Sequence, residues 1–125
     1  MAHDLFPDEL TLLHNPRCSK SRAAKALLEE RKVGFRERLY LDDPLTGAEL
    51  TELAKRLGKP CSEWVRRNES AYAEAGLGAD ATDKDLISAM TQHPILIERP
   101  ILIGRKRAVV GRPPERILEL VGGNR

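Results

Sequence analysis

No apolar run in this 125-residue sequence approaches the roughly 18 residues that a membrane-spanning helix requires, which excludes that mode of membrane association. The opening MAHDLFPDEL has no basic segment followed by an apolar stretch, so nothing marks a secretory signal and the cytoplasm is the expected location. Cysteine is scarce: Cys18 and Cys61 are far apart in unlike surroundings. Such a pair makes no disulfide framework and fits a reducing compartment in which at least one thiol is free. Excess charge of one sign is also missing. A net charge of +2 is too small to argue for a nucleic-acid footprint, and the basic run Gly104-Arg105-Lys106-Arg107, without interleaved aromatics, reads as a solvated hairpin turn, so no nucleic-acid partner is expected. Internal repeats and low-complexity tracts are absent, which removes solenoid architectures.

The remaining composition, 41% hydrophobic, 32% charged and 4% aromatic, is that of an ordinary globular chain long enough for one core. A single domain spanning 1–125 is expected. Leu10 to His14 is a short apolar run closed by the turn residues Asn15-Pro16, and a helical pattern from Ser19 to Arg31 follows, with Ala23, Ala26, Leu27 and Glu30 at helical spacing. Residues 35–41, FRERLYL, alternate as a strand does until Asp42-Asp43-Pro44 breaks them, which completes a βαβ unit expected to be parallel. From 46 to 93 helix signals dominate, with capping-box pairs Thr46/Glu49 and Thr82/Asp85. Strand character returns in PILI at 94–97, in PILI again at 100–103 and in RAVVG, before a last helix that starts at Pro113-Pro114 and includes Ile117, Leu118 and Val121. The predicted architecture is α/β: a mixed four-stranded sheet built from βαβ and ββα halves, about 9–44 and 93–122, with a helical block inserted over about 45–92.

Within this frame HNPRCSKSR, residues 14–22, has the marks of a reactive site. Cys18 falls at the start of a helix, where unpaired amides and the helix dipole favour a thiolate, and Arg17, Lys20 and Arg22 add positive charge. Position 21 is serine where a C-x-x-C dithiol would carry its second cysteine, so Cys18 has no local resolving thiol and the Ser21 hydroxyl is left to hydrogen-bond the sulfur. His14 is either a base or orienting partner for this loop or a strand-end histidine satisfied by backbone. Cys61, after Pro60 at a helix start, reads as a semi-exposed bystander.

His14-Asn15-Pro16-x-Cys18-x-x-Ser21-Arg22 closely resembles the active-site loop of the glutaredoxin-coupled arsenate reductase family, and HPILIERP at 93–100 and GRPPE at 111–115 extend the resemblance over nearly the whole chain. The resemblance implies a thioredoxin-like fold. It also implies that Cys18 attacks arsenate or a similar oxyanion and that Arg66, Arg99 and Arg112 bind it; from the loop itself, Asn15 and Arg22 are candidate substrate-binding residues and His14 and Ser21 candidate catalytic ones. Arg66, in WVRRN, is preferred to Arg67 by its place in the motif, and Pro100 takes the position of the structural cis-proline. Glutathione as co-substrate and glutaredoxin as partner are implied, with no metal and no bound cofactor. A thiol at the start of a helix among arginines also suits glutathione-dependent thiol–disulfide exchange. The resemblance itself implies a further alternative, since relatives with this fold include redox-responsive regulators that bind RNA polymerase; those typically carry the C-x-x-C switch that this chain lacks.

Overall fold

The computed structural model describes residue 6 and residues 9–121. The outer residues of the single-domain expectation, 1–5, 7–8 and 122–125, lie outside them. Four short strands form one sheet: β1 (Leu10–Leu13), β2 (Phe35–Arg38), β3 (Ile101–Ile103) and β4 (Ala108–Val110), in the order β2-β1-β3-β4. β1 and β2 run parallel, joined through helix α1 (Ser19–Glu30), with Leu10 opposite Phe35. β3 is antiparallel to both β1 and β4, with Thr11 opposite Ile103 and Ile101 opposite Val110. This is the mixed βαβ and ββα sheet that the sequence predicts.

Alternation along the strands divides the core between the two faces of the sheet. Leu10, Leu12, Leu102 and Val109 face α1 and the C-terminal 3-10 helix (Pro114–Leu120), packing with Ala24, Leu28, Ile117 and Leu120. Leu13, Ile101 and Ile103 face the inserted helices α2 (Gly47–Leu57), α3 (Ser70–Glu74) and α4 (Asp83–Gln92), where Leu50, Leu53, Trp64, Leu86 and Met90 fill the second core. Both expected capping boxes are present: Thr46 and Glu49 exchange hydrogen bonds at the start of α2, as Thr82 and Asp85 do at α4.

Several local expectations are corrected. α1 buries Ser21, Ala24 and Leu28, while Ala23 and Ala26 face solvent, because the sheet meets the helix one position away from the expected stripe. β2 stops at Arg38 rather than residue 41: the Arg38 guanidinium turns to the carbonyls of Asp43 and Pro44 and pairs with Glu49, folding the chain away from the sheet. The first PILI is no strand. Pro94–Leu96 is a 3-10 turn directly after α4, and only Ile97 forms a lone bridge, antiparallel to Val65. The closing helix is likewise 3-10.

The bridge matters for the site. Arg66 N–H donates to Leu96 C=O at 2.8 Å and Glu98 N–H to Trp64 C=O at 3.1 Å, so the WVRR segment of the insertion is clasped to the chain that leads into β3.

Candidate active site

Cys18 is the N-cap of α1, with extended backbone (φ −96°, ψ 122°), and is 9% exposed, more enclosed than a loop position suggests. Its N–H donates to Asn15 C=O and its own C=O accepts from Arg22 N–H, so the loop closes directly onto the first helical turn. Burial alone raises the Cys18 thiol pKa. The backbone amides of Ser21 and Lys20 and the Arg99 guanidinium, which hydrogen-bonds and attracts the thiolate, outweigh it and bring the value below the ordinary 9.0.

The rest of the loop differs in part from expectation. The Ser21 hydroxyl is not engaged by the sulfur; it is buried against His14, 2.7 Å from Nδ1, and accepts the N–H of Asn15 at 3.0 Å. Desolvation, reinforced by Lys25 and Arg22, lowers the His14 pKa below 6.5 although Glu37 opposes it, which favours the neutral imidazole at pH 7. The Asn15 side chain accepts Arg17 N–H at 3.0 Å, and Arg22 donates to Pro16 C=O at 2.8 Å. As folded, both side chains build the loop.

The three arginines expected at the site come from separate segments of the chain. Arg99, just before β3, interacts with Cys18, and its Nε and Nη1 are buried with no hydrogen-bond partner. Arg112, just after β4, sends Nε to Arg99 C=O at 2.8 Å. Arg66 arrives from the insertion, pairing with Glu69 at 3.1 Å and donating to Ile95 C=O. Arg67 is exposed, whereas Arg66 is half-buried, and the field at Tyr40 includes Arg66, Arg99, Cys18 and Glu98 together. Arg66 and Arg112 border a cleft of about 640 Å³ with Glu98, Arg67 and Asn68. Another cleft of the same volume, between Ala75 and Gln92, carries no thiol or guanidinium. Arg99–Pro100 is a cis peptide bond, in keeping with the resemblance, and Arg112–Pro113 is a second.

Two residues near this site escaped the sequence reading. Tyr40 is 1% exposed, and burial pushes its hydroxyl up to about 12, while Arg99 and Arg66 draw it down. Its signal was scarcity: it is one of five aromatics and stands just before the acidic turn. Glu98 interrupts the two PILI segments and contacts both Arg99 and Arg112. Cys61 requires correction, since it is fully buried in the insertion and its thiol is pushed up to about 11 by burial and by Asp83. Among the described residues no cluster of His, Cys, Asp or Glu has the arrangement of a metal site, and no helix is long and apolar enough to cross a membrane.

One thiol at a helix N-cap, on a thioredoxin-like sheet and with the Arg99 guanidinium favouring its thiolate, defines the class: a thiol protein of thioredoxin-like fold. Comparison with known proteins makes this specific. The ArsC family model matches residues 13–120. A protein from Neisseria meningitidis serogroup A named arsenate reductase is 43% identical over 111 residues, covering 87% of this chain and 95% of its own. YfgD of Escherichia coli K12, an uncharacterised protein, is 42% identical over 116 residues, covering 91% of this chain and 98% of its own. The solved structure of an arsenate reductase from Vibrio cholerae superposes with a TM-score of 0.85 at 38% identity, covering 90% of this chain and 97% of that one. The chain belongs to the ArsC family.

Proposed function

We propose that this protein reduces arsenate to arsenite, with Cys18 as nucleophile and with glutathione and glutaredoxin as the source of electrons. The observation that carries the reading is Arg99: two buried guanidinium nitrogens without hydrogen-bond partners, on a side chain whose positive charge also favours the Cys18 thiolate. A buried cationic donor whose N–H groups lack a hydrogen bond is costly, and an oxyanion beside the sulfur satisfies them. Relatives named arsenate reductase, at 43% and 38% identity, supply the choice of arsenic.

In this reading the Cys18 thiolate attacks the arsenic of an oxyanion held by Arg99, Arg66 and Arg112. An S–As bond forms as an As–O bond breaks, and the departing oxygen takes protons and leaves as water. The sulfur of glutathione replaces a second oxygen on arsenic. A glutaredoxin thiolate then takes that sulfur into a mixed disulfide, leaving the electron pair of the broken bond on arsenic, now As(III). Water displaces arsenite from Cys18. Ser21, bound to His14 and Asn15, has no sulfur to resolve the adduct, which is why two external thiols are required. The arginines hold the oxyanion against repulsion from the thiolate, and the amides of Lys20 and Ser21 favour that thiolate.

The test is arsenite production by purified protein supplied with arsenate, glutathione and glutaredoxin, with Cys18→Ser in parallel. Turnover that vanishes in the variant supports the reading. Folded wild-type protein that alkylates at Cys18, makes no arsenite and exchanges thiols with glutathionylated substrates overturns it.

A further inference from the structure

An anion site that contains a carboxylate needs an explanation. Glu98 stands between the two arginines that flank the strand hairpin. Its Oε1 accepts Arg99 N–H at 3.1 Å and lies 3.1 Å from Arg112 Nε and 3.8 Å from Arg99 Nη1. Arg112 Nε also donates to Arg99 C=O, so Oε1 is the common anchor of both cations. Anchoring occupies only one of the two oxygens. Among the described residues no hydrogen bond reaches Oε2, and the side chain, 25% exposed, lines the cleft beside Arg66 and Arg112.

A carboxylate oxygen only accepts hydrogen bonds. Facing a tetrahedral oxyanion that retains an O–H, it gains a charge-assisted bond; facing one with no hydrogen, it meets only like charge. Arsenate and phosphate near neutral pH carry such hydrogens, whereas sulfate carries none. Building on the oxyanion-binding reading above, we infer that Glu98 is the specificity-determining residue of the site: its Oε2 accepts a hydrogen bond from the O–H of a protonated tetrahedral oxyanion and thereby excludes sulfate. Two other carboxylates are nearby, Glu63 lining the same cleft and Glu69 paired with Arg66, but among the described residues Glu98 alone contacts both Arg99 and Arg112.

Glu98→Gln is the discriminating variant. Its amide oxygen can keep the Oε1 bond to Arg99 N–H, while an N–H₂ donor replaces the Oε2 acceptor, which suits sulfate and removes the charge. Protection of Cys18 from alkylation by iodoacetamide, a neutral reagent, is measured at about pH 6 with inorganic arsenate, phosphate or sulfate as the added anion, where the protonated forms of the first two are abundant. Wild type is expected to be protected by arsenate and phosphate at concentrations about tenfold or more below those of sulfate. In Glu98→Gln that preference is expected to fall to near unity, chiefly by tighter sulfate binding. Should that variant misfold by circular dichroism, Glu98→Ala serves, with the same loss of preference expected. A preference unchanged in the variant, or wild type protected equally by sulfate and phosphate, overturns the inference while leaving the reductase reading in place. Absence of protection by any oxyanion, together with absence of arsenite production, overturns both.

Discussion

The Ser21 hydroxyl and the His14 imidazole share a buried hydrogen bond of 2.7 Å, and the same oxygen takes the Asn15 N–H. It ties the residues just after β1 to the first turn of α1 around the thiol. At the position where a dithiol motif keeps its second sulfur, this chain uses a hydroxyl to fix the loop.

Ser21→Ala leaves His14 Nδ1 and the Asn15 N–H without that partner in a closed site. We expect a loss of about 1–3 kcal/mol in urea unfolding, the cost typical of stranding a buried polar group. A change within a few tenths of that scale, with unaltered Cys18 alkylation, shows the bond to be dispensable.

Arg99→Ala removes a positive charge and a hydrogen bond from Cys18. The pH profile of iodoacetamide alkylation, with its inflection expected below 9.0 in wild type, moves upward in the variant. Profiles that coincide mean that the amides of Ser21 and Lys20 hold the thiolate alone.

His14 has a folded-state pKa below its unfolded value of 6.5, so the unfolded chain binds the proton more readily. Its contribution to stability is therefore fully present above pH 6.5 and is lost as the pH falls toward the folded value. Denaturant midpoints measured from pH 7.5 to pH 5 should drop less in His14→Gln than in wild type.

Glu49 adds a second acid-sensitive element lower on the scale. Burial raises its pKa, but Arg38, which forms two hydrogen bonds with it at 2.7 and 3.0 Å, and the Thr46 cap bring the net value below 4.5. Stability from this pair is present above pH 4.5 and lost as the pH falls through the folded value. Glu49→Gln should flatten the acid limb between pH 5 and pH 3 while lowering stability at pH 7.

Gly111 lies where no side chain fits: a Cβ there stands 2.8 Å from Pro100 Cγ and 2.9 Å from Ile117 Cγ2. Gly111→Ala forces one of two packed neighbours to move, at a cost of about 1–3 kcal/mol. Because Pro100 follows Arg99 and Gly111 precedes Arg112, the variant should also weaken oxyanion protection of Cys18. Wild-type protection in a destabilised variant separates packing from the site.

The sequence was most legible where local chemistry decides the outcome. Turn residues after Leu13, the two capping boxes and the basic hairpin turn are local signals, and each element forms where they stand. PILI shows the limit. The same four residues become a 3-10 turn after α4 and a β3 strand after Arg99, because only the second copy has β1 and β4 beside it. Leu39 to Leu41 alternate as a strand does, but the Arg38–Glu49 pair turns the chain before they can extend the sheet. In the site, cysteine and arginines were legible because the motifs name them. Glu98 and Tyr40 were not, since a carboxylate between strands and an aromatic before a turn acquire meaning only once Arg99, Arg112 and Cys18 surround them.

The clasp between Trp64, Arg66, Leu96 and Glu98 couples two events that are otherwise separate. One of the three arginines belongs to the inserted block and two flank the strands β3 and β4, so in the proposed mechanism an anion gripped by all three bridges two parts of the chain. Thermodynamic reciprocity then makes the ligand a cross-link: whatever free energy the docked insertion contributes to anion binding, the bound anion returns to the docking of the insertion.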